Sequence, residues 1–111
     1  MIGPRPETAA AQVWIATQPV DMRKSFDSLA EVVRNFLAHD PLSGKMFVFR
    51  NRNGQRVKIL WWDRDGLAIY YKRLERGEFH FPRANMPAVA ITREQLLRLL
   101  SGLSIAGRKR A

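Results

Sequence analysis

The sequence predicts an α+β domain: an antiparallel β-meander of about four to five strands, packed by one long helix and followed by a short C-terminal helix. Three observations carry this expectation. In "DMRKSFDSLAEVVRNFLAHD", residues 21–40, the apolar residues Met22, Phe26, Leu29, Ala30, Val33, Phe36 and Leu37 recur at helical spacing and form one face. Residues 45–81 alternate strand-like runs with turn dipeptides. "TREQLLRLLSG", residues 92–102, places a capping Thr92 three residues before Gln95, then a leucine stripe, then Gly102.

The elements follow in order. Residues 1–12 hold two Pro, a Gly and an Ala run and read as a loose arm. "VWIAT", 13–17, suits a short strand and is stopped by Pro19. Asp21 or Ser25 can start the long helix by offering a side-chain oxygen to unpaired backbone N–H groups, and "DPLSG", 40–44, ends it. "KMFVFRN" then meets "QRVKILWW" across Asn53-Gly54, which suits a two-residue type I′ turn because both residues tolerate positive φ. "QRVKILWW" meets "LAIYYKRL" across "DRDG", and "EFHFP" is expected to return as a further strand across Arg76-Gly77. Residues 83–90 read as loop. One domain, 13–103, is therefore expected between the arm and a basic tail, 104–111; 111 residues hardly suffice for two.

Alternation sorts the sheet into two faces once Val48 is set opposite Ile59. Met46, Val48, Val57, Ile59, Trp61, Ala68, Tyr70, Leu74, Phe79 and Phe81 share one face, expected to pack on the long helix. Phe47, Phe49, Leu60, Trp62, Leu67, Ile69 and Tyr71 share the other, with Asn51, Arg56, Lys58 and Arg73 toward its far end. Trp61 and Tyr70 read as core. Trp62 and Tyr71 are either covered by the C-terminal helix or left as an exposed ring platform.

Charge supplies the functional lead. The net charge is +9, and it is localised. Residues 1–49 are neutral, residues 50–76 carry +5, and "RKR" at 108–110 adds +3. Arg50, Arg52, Arg56, Lys58, Lys72, Arg73 and Arg76 gather in the hairpin block, and Arg108, Lys109 and Arg110 in the tail. Each cation set on a phosphate releases counterions, so such a cluster suits a polyanion; its plainer reading is a solvated charged face. With Trp62 and Tyr71 as stacking platforms, these residues form the candidate nucleic-acid-binding set.

Other chemistries find little support. There is no Cys, which excludes disulfides and thiolate metal sites, and no apolar run approaches a membrane span. Asp63 and Asp65 flank Arg64 where a hairpin turn favours Asp, and no third acid stands at metal-site spacing. His39 and His80 are isolated, and no GxSxG, HExxH or P-loop occurs. No catalytic residue, metal or cofactor is expected.

"PVDMRKSFDSLAEVV" at 19–33, "FVFRNRNGQRVKILWWDRDGLAIYYKRLERGEFHFP" at 47–82 and "ITREQLLRLLSGL" at 91–103 closely resemble the TnpB-type accessory proteins, second open-reading-frame products of the insertion-sequence-sixty-six transposon family. The matching motifs are Asp21-Met22-Arg23-Lys24, Phe47 to Asn51, Trp61-Trp62-Asp63 with Gly66, and Tyr71-Lys72-Arg73-Leu74. The unrelated RNA-guided nuclease sharing the TnpB label is rejected on length and on the missing acidic triad. The resemblance implies a bacterial cytoplasmic, nucleoid-associated protein that assists transposition without catalysing it. Its expected partners are DNA at transposon ends, the cognate transposase and a sister accessory protein, with no membrane. The rival expectation is an adaptor that docks on the transposase, using the apolar end of the second face and making no DNA contact.

Overall fold

The computed structural model describes residues 13–105. Along the chain run β1 (Val13–Ala16), α1 (Phe26–Asn35), β2 (Met46–Arg50), β3 (Arg56–Asp63), β4 (Gly66–Arg73), β5 (Ala88–Ile91) and α2 (Arg93–Leu100). The five strands form one sheet in the order β4-β3-β2-β1-β5. The arm and the end of the basic tail, with Arg108, Lys109 and Arg110, lie outside the described residues.

The sheet is mixed, which corrects the antiparallel expectation. β2, β3 and β4 form the meander, but β1 pairs with β2 in parallel, Val13 opposite Met46 and Ile15 opposite Val48. The reason is topological. Parallel neighbours need a crossover, and α1 is the element between them. β5 closes the other side antiparallel to β1, Val13 opposite Ile91.

Both hairpin registers follow the sequence reading, with Val48 opposite Ile59 and Trp61 opposite Ala68. The first turn differs in type. Gly54 takes φ 73 but Asn53 stays at negative φ, so the turn is not type I′. Instead Asn51 N–H donates to the Arg56 carbonyl (3.1 Å), Gly54 N–H to the Asn51 carbonyl (3.1 Å), and the Asn51 and Asn53 side chains accept from the Arg56 and Gln55 amides. The loop is wider, yet the strand pairing keeps its parity.

α1 is short, ten residues, not the long helix expected. Ser25 precedes it, its N–H donating to Ser28 Oγ, whereas Asp21 is engaged by Arg23. The chain turns out of the helix before Pro41 is reached: Ala38 adopts φ 59, and the Leu37 and His39 amides reach back to Val32 and Val33. α2 starts on the expected reciprocal cap, Gln95 N–H to Thr92 Oγ1 (3.0 Å) and Thr92 N–H to Gln95 Oε1 (2.9 Å), and ends at Gly102 with φ 77.

The face memberships hold, but the helices are exchanged. Met46, Val48, Val57, Ile59 and Trp61 pack with Leu96, Leu99 and Leu100 of α2. Phe47, Phe49 and Leu60 pack with Leu29, Ala30, Val33 and Leu37 on the α1 side. Of the apolar end of the second face, Phe47, Phe49 and Leu60 are therefore buried core on the α1 side, Trp62, Leu67 and Ile69 are half-buried, and Tyr71 is exposed.

"EFHFP" is not a strand. The chain leaves β4 at one edge of the sheet and must reach β5 at the other, so residues 74–87 cross the sheet's end. Phe79 N–H bonds the Gly54 carbonyl (2.7 Å) and Thr17 N–H bonds the Pro87 carbonyl (3.0 Å), pinning both ends of the passage. Phe79 is buried and Phe81 half-buried against the α2 side. The end of the segment expected as loop, residues 88–90, belongs to β5 (Ala88–Ile91).

His39 packs its ring on Trp14 (4.3 Å between centroids) and Phe47 (5.8 Å). Burial, assisted by Lys45, lowers its pKa. On acidification the unfolded chain then takes up this proton first, so the His39 contribution to stability falls from about pH 6.5 down to the lower folded value. Urea midpoints for wild type and His39→Gln should diverge in that window; parallel pH profiles would show that His39 contributes nothing to it.

Candidate nucleic-acid interface

The β2–β3 turn is the tip around which the predicted cations are distributed, and the structure divides them into two kinds. Lys58 is interior. It is 8% exposed, and its ammonium donates to the carbonyls of Met22 (2.8 Å) and Lys24 (2.7 Å). It also lies 4.7 Å from the Tyr71 ring centroid. Lys72 points to the opposite face, where Nζ donates to the Leu100 carbonyl (2.8 Å) at the C-terminal end of α2. Arg50 is folded onto its own turn, Nη1 donating to the Asn51 (3.3 Å) and Arg52 (3.2 Å) carbonyls, with its guanidinium 5.7 Å from the Phe81 ring centroid. All three thus have a structural role in the fold, since each donates to backbone carbonyls, although the Arg50 Nε has no partner among the described residues.

The second kind faces solvent. Arg52 and Arg76 are exposed, and neither guanidinium has a hydrogen-bond or carboxylate partner among the described residues. Arg56 gives one donor, Nη1, to the Tyr71 hydroxyl (2.9 Å) and keeps the rest of its fork. Arg73 is exposed but paired with Glu75 at 3.0 Å. Tyr71 is 46% exposed, while Trp62 is half-buried. Arg52 and Arg56 line one cleft of about 570 Å³ together with Asn51, Asn53 and Asp21. Arg56, Tyr71 and Arg73 line the next, so Arg56 joins the two.

One residue missed by sequence reasoning belongs here. Arg83 is exposed on the crossing segment and shares a cleft with Arg52 and His80. No local pattern marks it; it arrives because Phe79 is tied to Gly54. The glycine itself is explained by its backbone, a φ of 73 that L side chains rarely adopt; a Cβ there would meet the Phe79 carbonyl at an ordinary contact distance of 3.5 Å. Acids temper the tip. Glu75 and Glu78 line clefts beside it, and Asp21 is held by Arg23 at 2.6 Å, the guanidinium lowering its pKa to about 2.

Asp63 and Asp65 bound the β3–β4 turn, and among the described residues no group of three or more His, Asp or Glu could hold a metal ion. No helix there is long and apolar enough to cross a membrane.

Fold and site together define a small basic α+β protein in which Arg52, Arg56, Arg73, Arg76 and Arg83 lie around one hairpin tip. The chain belongs to the IS66 Orf2-like family, whose family model, described as "IS66 Orf2 like protein", matches residues 11–110. Membership implies an accessory role in transposition of an insertion sequence. Two relatives come from Sinorhizobium fredii. The uncharacterized protein y4hO is 46% identical over 98 residues, covering 88% of this chain and 85% of the relative. The uncharacterized protein y4jC is 36% identical over 103 residues, covering 93% and 86%. No solved structure matches.

Proposed function

We propose that this protein is a non-catalytic accessory factor that binds DNA at transposon ends through the arginines of the β2–β3 tip. The observation that carries this reading is the shared cleft of Arg52 and Arg56, in which the Arg52 guanidinium has no partner among the described residues. Arg76 and Arg83 extend the cationic surface to the clefts on the other side of the tip. A guanidinium fork with free donors suits bidentate contact to phosphate. Tyr71, already oriented by Arg56, offers a ring edge to an unstacked base. The cognate transposase and a sister accessory protein are the protein partners this role brings with it.

The test is salt-titrated fluorescence anisotropy with element-end duplex, random duplex and single-stranded DNA. Arg52→Ala/Arg56→Ala/Arg76→Ala should weaken binding at least about tenfold and flatten the salt slope by about 2 to 3, near 0.9 per lost phosphate contact. Lys72→Met should leave both unchanged, because its ammonium is spent on α2. Equal affinity and slope for the triple variant and wild type would refute DNA binding at this tip.

A further inference from the structure

We infer that the free edge of β4 is a pairing surface for a second copy of this chain, joining two sheets through antiparallel β4–β4 contact about a two-fold axis at Ile69. β4 ends the sheet, and among the described residues nothing pairs with its outer side. It spans eight residues without proline, and its register with β3 is unbroken from Asp63↔Gly66 to Arg56↔Arg73. A long regular edge without a bulge is a template for another strand.

The hydrogen-bond parity shows which groups are on offer. Leu74 N–H bonds the Gln55 carbonyl, and on the other side of β3 the Asn51 N–H bonds the Arg56 carbonyl. With the observed register, β3 residues 57, 59 and 61 turn their backbone toward β4, to residues 72, 70 and 68. The N–H and C=O groups of Leu67, Ile69, Tyr71 and Arg73 therefore point outward.

Charge selects the occupant and the register. The acids Asp63 and Asp65 lie at one end of the strand, and Lys72 and Arg73 at the other. An antiparallel copy brings unlike ends together, whereas a parallel copy would set like beside like. Centred on Ile69, the pairing sets Leu67 opposite Tyr71 and Asp65 opposite Arg73, each twice by symmetry. Centred on residue 70, it would set Asp65 against Glu75, a like-charge contact. Arg73 is available because its present partner, Glu75, is a solvent-exposed neighbour. This inference does not depend on DNA binding. In the dimer Arg73 belongs to the interface, while Tyr71 gives it only its backbone and keeps its ring beside Arg56, which leaves Arg52, Arg56, Arg76 and that ring to the polyanion.

Sedimentation velocity and light scattering on the full chain test it. Wild type should be a dimer in the micromolar range. Asp65→Arg and Arg73→Asp should each raise the dimer dissociation constant about tenfold, and their combination should restore it, since both pairs are then rebuilt with reversed sign. Ile69→Pro should be monomeric with an unchanged far-UV spectrum, because residue 69 directs its N–H away from β3. A monomeric wild type, a combined variant as weak as the single ones, or a folded Ile69→Pro that still dimerises would each overturn the inference. Should Ile69→Pro fail to fold, the charge-exchange set decides alone.

Discussion

Lys58→Met should destabilise the protein by about 2 to 3 kcal/mol, a loss visible as a lower urea midpoint at unchanged m-value. The methionine keeps the length and apolar stem of the lysine, so packing beside its cross-strand neighbours Phe49 and Tyr71 is largely retained. What goes is the ammonium, which reaches two carbonyls of the segment entering α1, Met22 and Lys24. No other described group donates to them, and their desolvation is then uncompensated. Lys58→Arg should not rescue, because a planar fork cannot converge on two carbonyls and a ring as a compact ammonium does. Backbone amides of residues 20–25 should lose exchange protection first, as their anchor to β3 is removed. A change below about 0.5 kcal/mol, within the range of ordinary surface substitutions, would return Lys58 to the pool of cations available to a polyanion.

This residue also marks where sequence reasoning stops. Lys58 lies between Val57 and Ile59 in a strand, and formal charge places it with Arg52 and Arg56. Charge counts do not register carbonyl acceptors supplied by a segment 34 to 36 residues away. The same holds for Lys72, whose acceptor lies 28 residues on. By contrast, hairpin registers and face memberships were legible, because turn dipeptides and period-two alternation are local signals. Phe79 and Phe81 imitate a strand because alternate aromatics also serve as pegs on a crossing segment. Ala88–Ile91 was hidden by its brevity and by Pro87 just before it. The parallel β1–β2 pair was implicit in the order strand, helix, strand, a signal that the conspicuous meander outweighed.

Which helix covers which face was not legible, since alternation separates two sides without naming their partners, and that assignment gives the second large effect. Leu99→Ala should cost about 3 kcal/mol or more: Leu99 is fully buried between α2 and the Val48–Ile59–Trp61 face, and a short helix has little freedom to collapse into the space. Leu29→Ala, equally buried on the α1 side, should cost a similar amount. The two variants separate by location. Trp61 shares the core cluster of Leu99, and Trp14 packs on that of Leu29. In a proton–nitrogen spectrum Leu99→Ala should shift the Trp61 indole N–H and spare that of Trp14, and Leu29→Ala should do the reverse. The sheet between them is the insulator, because its close-packed residues Val48 and Phe47 point to opposite sides. The opposite pattern would exchange the helices again and, with them, the route by which Lys58 ties α1 to the strand that carries Arg56.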